Sequence, residues 1–349
     1  MDKWEETFPG ERNDDAFRGC RPARVLSRRE IAALMTLTDY VGAVEAGFRA
    51  YASDQAEVPL PIELAARNGT FHAKGARLDL DRPYVAVKLN GNFPCNPQRN
   101  GLPTIQGAIV LCDGYDGTLL AIMDSIEITL RRTAAATALA ARYLAPKDCD
   151  SVALCGCGAQ GRAQLEALAN VIPLRRALVW DIDEHKARGF AREVAETLRL
   201  DIAAVSEPQL ATRINRLIVT ATTASAPFLT RSMIPAGAFI AAVGADNPAK
   251  SEVAPDLMAA ATIVVDLLAQ AVAIGDLHHA IDAGVLTEDD VHAELADVIV
   301  GRRPGRTSDD EIIVFDSTGT AIQDVATAAF IWQRAVANDV GLSVRFGAL

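Results

Sequence analysis

No apolar run in this chain approaches the roughly 20 residues that a bilayer-spanning helix needs, so no membrane anchor of that kind is expected. Basic charge is in short supply. Lys and Arg total 34 against 45 Asp and Glu, for a net charge of −11 and a pI near 5.0. Basic runs stop at pairs such as Arg131-Arg132 and Arg302-Arg303. That balance argues against a nucleic-acid footprint. The six cysteines have no zinc-ligand spacing, so free thiols in a cytoplasmic protein are expected and no metal is. His278, His279 and His292 sit in polar surroundings and read as structural. No internal repeat and no low-complexity tract is present. The opening MDKWEETFPGERNDD is polar and acidic, unlike a secretory signal.

Hydrophobic residues are plentiful, at 50% of 349, which is ample for buried sheets. The length exceeds what one core usually supports, so two domains are expected. The most informative stretch is Val152–Gly161, VALCGCGAQG. A short apolar strand runs into Gly156-x-Gly158-x-x-Gly161, and a helical segment follows over 162–170. The first glycine permits a tight turn, the second a close approach of backbone to phosphate, and the third close packing of helix on strand. The helix N-terminus then faces the pyrophosphate of a dinucleotide, with Ala159 and Gln160 of the turn as further candidate cofactor contacts. A second strand, Ala177–Trp180, leads to Asp181, 20 residues past the last glycine. A carboxylate there accepts hydrogen bonds from an adenosine ribose and disfavours a 2′-phosphate, which favours NAD over NADP. The basic residues Lys186 and Arg188 come late in the segment that follows.

About 150 residues precede this nucleotide domain. Leu26–Ser53 reads as helical, with a cap near Thr36–Asp39. Val58–Leu64, Thr70–Lys74, Tyr84–Asn90 and Gly107–Cys112 read as strands, and Asp113–Gly117 as a hairpin turn. Ile126–Leu144 is a long Ala-rich helix leading into the nucleotide domain. Beyond Asp181, Leu217–Thr220, Phe239–Val243 and Ile263–Asp266 are runs typical of a buried parallel sheet. A strand at Ile312–Phe315 precedes a helix at Ala321–Asn338.

Four segments together resemble the ornithine cyclodeaminase/μ-crystallin family, with the archaeal-type alanine dehydrogenases closest in look. They are KLNGNFPCNPQRNGLPTIQG from Lys88, the RTAAA core of the helix around Arg132, GADNPAKSE from Gly244, and EIIVFDSTGTAIQDV from Glu311. The resemblance covers most of residues 30–345 and leaves the first 20 or so as an added arm. It implies an α/β fold: a Rossmann NAD-binding domain over 146–309, and an α+β substrate-binding and dimerisation domain made from 1–145 with 310–349. It implies a homodimer, a small amino-acid or imino-acid substrate, and hydride exchange between an amino-acid Cα and nicotinamide through an imine.

Such chemistry needs a base for the ammonium, a cation for the carboxylate and an open face to the nicotinamide. Asp246 follows the strand FIAAVG at the ligand edge of the sheet, ahead of a helix expected from Pro248; by resemblance it is the catalytic acid/base. Lys88 ends the strand YVAVK, where a lysine usually snorkels to the surface; by resemblance it is the candidate site cation, with a catalytic role if Asp246 has none. Arg132, at a helix start, suits the substrate carboxylate or cofactor phosphate. By resemblance Thr104, Lys250 and Ser317, with Thr318 beside it, lie near the cofactor; Thr133, Thr222 and Val243 are further candidate cofactor contacts. Glu252 completes the Asp246 motif. One departure stands out: Pro61 occupies a place where the family usually has a basic residue. His72 and Lys74, on one face of a strand, are positioned to supply the missing carboxylate clamp, or to mark a different substrate. Three readings follow: an amino-acid dehydrogenase or ornithine-type cyclodeaminase, with a cyclic ketimine reductase as the alternative; a crystallin-like binding protein; or a dehydrogenase of another class. An acidic group placed for a second ammonium would favour cyclodeamination, and none is identifiable.

Overall fold

The computed structural model describes residues 22–346. The acidic arm and Cys20 lie outside them. The first part contains β1 (Ala23–Leu26), α1 (Arg28–Leu34), α2 (Leu37–Ala52), β2 (Ala56–Glu57), β3 (Ile62–Ala66), β4 (Gly69–Asp79), β5 (Pro83–Asn92), α3 (Asn96–Asn100), β6 (Ile105–Asp113), β7 (Leu119–Asp124) and α4 (Ser125–Leu144). Leu26–Ser53 is not one helix. Ser27 and Thr36 each build a capping box, with Glu30 and Asp39, and so start two separate helices. The strand expected from Val58 begins only at Ile62, because Pro59 and Pro61 cannot donate to a ladder. The Asp113–Gly117 turn joins β6 to β7 as an antiparallel pair.

The second part contains β8 (Ser151–Cys155), α5 (Ala159–Val171), β9 (Arg176–Trp180), α6 (Glu184–Leu198), β10 (Asp201–Ala204), α7 (Pro208–Thr212), β11 (Leu217–Thr220), β12 (Phe239–Ala242), α8 (Pro255–Met258), β13 (Thr262–Val265), α9 (Leu268–Ile274), α10 (Asp276–Asp282), β14 (Ala293–Glu294), α11 (Leu295–Ile299) and β15 (Ile313–Asp316). The chain then returns to the first part with α12 (Ala321–Ala337) and β16 (Leu342–Val344).

The first sheet runs β16-β1-β7-β6-β5-β4-β2, with β3 also on β4. The second runs β10-β9-β8-β11-β12-β15-β13-β14 and is parallel throughout. Every residue of β11, β12 and β15 is buried, as strands covered on both faces must be. The strand order reverses between β8 and β11, so the ligand crevice opens at their carboxyl ends. The expected boundary at residue 310 is displaced. Ile313–Asp316 lies between β12 and β13 inside the parallel sheet, and the crossing follows Asp316.

Helix α12 packs against α2, α4, β4 and β5. Small residues permit this approach: a Cβ on Gly47 of α2 would stand 3.0 Å from the Ala326 Cβ. In α4, Ala134, Ala135, Ala136, Ala138 and Ala140 are fully buried. The consequence for the site is that the inner face of β4 and β5 is roofed by α12.

Candidate active site

The glycine turn has the shape its spacing predicts. Gly156 has φ +108°, and a Cβ there would meet the Ala221 carbonyl oxygen at 2.4 Å. A Cβ on Gly161 would stand 1.9 Å from the Gly156 carbonyl oxygen. At Gly158 a Cβ would meet nothing within 4 Å. Two glycines are thus required by the protein's own packing, and the third leaves open the space that a pyrophosphate would need. Gly158 is the N-cap of α5 and supplies no side-chain cap, so Ala159 and Gln160 begin a helix with unclaimed N–H groups.

Asp181 follows β9 and faces the turn. Its Oδ2 accepts a hydrogen bond from the Cys157 N–H at 2.9 Å, and its Oδ1 one from the Asp183 N–H at 3.1 Å. Lys186 does not stand apart from it. One turn into α6, its Nζ lies 2.7 Å from Asp181 Oδ2. Burial alone would raise the Asp181 pKa; the lysine and the backbone donors bring it below the usual carboxylate range.

Beside the turn is a cavity of about 260 Å³ between the two sheets. His72, Lys74, Lys88, Arg132, Thr133, Gln160, Thr222, Val243, Asp246, Lys250, Ser317 and Thr318 all line it. Thr104 does not. It sits in the loop before β6, where its carbonyl accepts the Phe93 N–H at 2.8 Å. Lys88 lies mid-strand in β5 and not at a strand end, and Arg132 lies mid-helix in α4 and not at its start. Both are therefore held on rigid elements.

Sequence reasoning passed over Asp324. It projects from the first turn of α12 and is buried. Its Oδ2 lies 2.6 Å from Lys88 Nζ and its Oδ1 lies 3.0 Å from Arg132 Nε. Arg132 also donates to Gln323 Oε1 at 2.7 Å. One acid inside the apolar, small-residue run AIQDVATAAF was the available signal. Burial would raise the Asp324 carboxyl, but the Arg132 and Lys88 charges hold it low. Burial and the nearby Arg132 guanidinium push Lys88 the other way, down to about 7. Lys74 is lowered for the same two reasons.

Asp246 stands on the opposite wall. No helix starts at Pro248; the chain from Gly244 is irregular until α8 at Pro255, so Asp246 is not a cap. Its Oδ1 is 2.6 Å from Lys250 Nζ, and half of its side chain is open to solvent. Desolvation in the cleft would raise it, and Lys250 more than offsets that. Glu252 fixes this loop from beneath. Its Oε2 accepts from Thr220 Oγ1 at 2.7 Å and the Gly244 N–H at 2.8 Å; its Oε1 accepts the Thr222 N–H at 2.6 Å. Burial and the neighbouring Asp276 charge push Glu252 up to about 7. Across the crevice, Asp266 accepts from Thr318 Oγ1 at 2.8 Å and the Gly319 N–H at 2.7 Å.

The profile of the ornithine cyclodeaminase/mu-crystallin family matches residues 22–339. The chain belongs to that family. An alanine dehydrogenase from Archaeoglobus fulgidus is 36% identical over 92% of this chain and 98% of its own. Among solved structures, an archaeal alanine dehydrogenase dimer with bound NAD superposes with a TM-score of 0.88 at 35% identity, covering 93% of this chain and 99% of that one. The Thermococcus litoralis Δ¹-pyrroline-2-carboxylate reductase, in complex with NADH and L-proline, gives 0.88 at 32% identity over 92% and 100%. This family member keeps both a nucleotide turn and a charged cavity at the same crevice.

Proposed function

We propose that this chain is an NAD-dependent oxidoreductase that acts at the Cα of a small L-amino acid, or on the corresponding imine. The observation that carries the reading is the shared crevice: the glycine turn opens at one end of a cavity that holds Lys88, Arg132 and Asp246 on its walls. The glycine space, the uncapped start of α5 and Asp181 are the residues that would hold the dinucleotide, whose nicotinamide supplies hydride acceptance or donation. The family's solved members with NAD, NADH and proline support this choice of ligands.

The chain's own residues divide the remaining work. Lys88 and Arg132, tied together by Asp324, present two cations against one carboxylate and are suited to grip a substrate carboxylate. Asp246 faces them as an anion and is placed to take a proton from the substrate ammonium. Loss of that proton leaves the nitrogen lone pair free to form the C=N bond as the Cα–H leaves as hydride. In the reverse direction the imine carbon receives the hydride and the nitrogen regains its proton. Glu252 acts through the Gly244 loop and positions Asp246. A neighbouring reading, ring-forming deamination of a diamino acid, would need an acid facing a second ammonium. Asp246 and Asp324 line or border this cavity with lysine or arginine partners already in place, which favours net redox.

We also infer a homodimer. Ile62, Leu64, Val87, Leu89 and Val110 are exposed on the outer face of the first sheet, and the pairings Ile62 with Ala73, Ala73 with Leu89 and Val87 with Val110 join them into one apolar surface.

The test of the function is direct. NAD is incubated with a panel of L-amino acids, and NADH formation is followed separately from ammonia release. NADH formation with matching ammonia supports oxidation at Cα. Ammonia without NADH supports cyclodeamination; neither product from any amino acid, together with no NADH consumption by the matching keto acid and ammonia, removes the reading.

A further inference from the structure

The inner wall of the cavity carries more positive charge than one substrate carboxylate requires. Lys74 and Lys88 are cross-strand partners in the β4–β5 ladder, and both side chains line the cavity. Like charges at directly opposed positions are destabilising. Arg132 brings a third cation to the same wall. The single carboxylate among them is Asp324, which is taken by Lys88 and Arg132. On the facing wall, Lys250 and Asp246 balance each other.

Lys74 has a different set of partners. Its Nζ donates to the carbonyls of Thr318 at 3.2 Å and Gly319 at 2.8 Å, which are neutral acceptors. An ammonium has three donors, so one remains for a ligand. Asp266 stands behind the same turn, but its oxygens are engaged by Thr318 and Gly319, and burial keeps its carboxyl above the usual range. It does not cancel Lys74 at the cavity surface. His72 adds a further ring two residues along, on the same strand face.

We propose that Lys74, with His72 beside it, receives a second carboxylate, and that the substrate is an α-amino or α-imino dicarboxylic acid. The inference rests on the oxidoreductase reading given above and names its substrate class. The α-carboxylate goes to Lys88 and Arg132, the nitrogen faces Asp246, and the distal carboxylate goes to Lys74. Two excess cations then meet two carboxylates. The same lysine opposes a distal ammonium, so a diamino acid is rejected by like charge.

The experiment compares kcat/KM for NAD reduction with aspartate and glutamate against alanine, proline and ornithine. It is repeated in Lys74→Met and Lys74→Arg. The wild type is expected to favour one of the dicarboxylic acids by at least about tenfold, since truncating one partner of a desolvated charge pair weakens binding. In Lys74→Met the dicarboxylic-to-monocarboxylic ratio should fall by about 10²-fold, and Lys74→Arg should restore most of it. Ratios are read within one protein, so a variant with less folded enzyme still reports. Preference of the wild type for alanine, proline or ornithine would overturn the inference while leaving the oxidoreductase reading intact. So would a ratio unmoved by Lys74→Met. NADH formation from no amino acid, together with no NADH consumption by the matching keto acid and ammonia, would overturn both.

Discussion

Lys88 Nζ and Asp324 Oδ2 meet at 2.6 Å, one from the middle of a strand and the other from the first turn of the last long helix. Both side chains are almost fully buried. Their contact ties the returning C-terminal segment to the sheet that forms the cavity floor, so the site and the fold share one ion pair.

Asp324→Asn should therefore be costly. It leaves Lys88 and Arg132 buried side by side with no counter-ion, and removing one partner of a buried pair typically costs about 3–5 kcal/mol. Chemical denaturation should show a loss of that size. An unchanged midpoint would mean that water reaches the cations and that the pair contributes little.

The Lys88 pKa gives a pH dependence with a definite sign. It is lowered to about 7 in the fold, so its charge is present below that pH and lost above it. The inhibition constant of an unreactive carboxylate such as propionate should weaken as pH rises from 6 to 9. Lys88→Arg stays charged throughout and should flatten the profile. Tighter inhibition at higher pH would contradict the cation role.

Cofactor choice should follow the Asp181–Lys186 pair. NADH should bind more tightly than NADPH. Lys186→Met should widen the margin, because an unpaired Asp181 repels a 2′-phosphate more strongly. Asp181→Ser should narrow or reverse it by freeing Lys186. Fluorescence titration of both cofactors measures this, and a wild-type preference for NADPH would sink the assignment.

The apolar outer face of the first sheet should be covered in solution. Sedimentation at micromolar concentration should give about twice the chain mass of 37.1 kDa, as expected for a closed two-fold pair. Val87→Glu with Val110→Glu should shift the protein toward monomer. A wild-type monomer would remove the dimer.

Much of this was legible in local sequence because its causes are local. Gly156, Gly158 and Gly161 are set by a turn, and β11, β12 and β15 by runs that fit a sheet covered on both faces. Capping, hairpin and family motifs were equally readable. What escaped depends on distant packing. Asp324 has no local signature except being the lone acid in a buried helix face; its meaning comes from two cations on other elements. The place of β15 inside the parallel sheet is set by pairing with β12 and β13, which no periodicity reports. The absent helix after Pro248 reflects Glu252, whose bonds to Gly244 and Thr222 hold that segment in an irregular path. Lys186 looked late in sequence, yet one helical turn brings it back onto Asp181.

If Asp246 exchanges the proton at the substrate nitrogen, as proposed above, Asp246→Asn is the variant that exposes it. The amide keeps the shape and removes the base. General acid–base groups contribute about 10²- to 10⁴-fold, so turnover on the best amino acid should fall by that order while NADH binding stays nearly unchanged. The hydride step must be shown to limit the rate, by a deuterium isotope effect at Cα. Loss on that scale with intact cofactor binding is the predicted result. Near-wild-type turnover under those conditions would contradict the account and make Lys88 the leading candidate for the base.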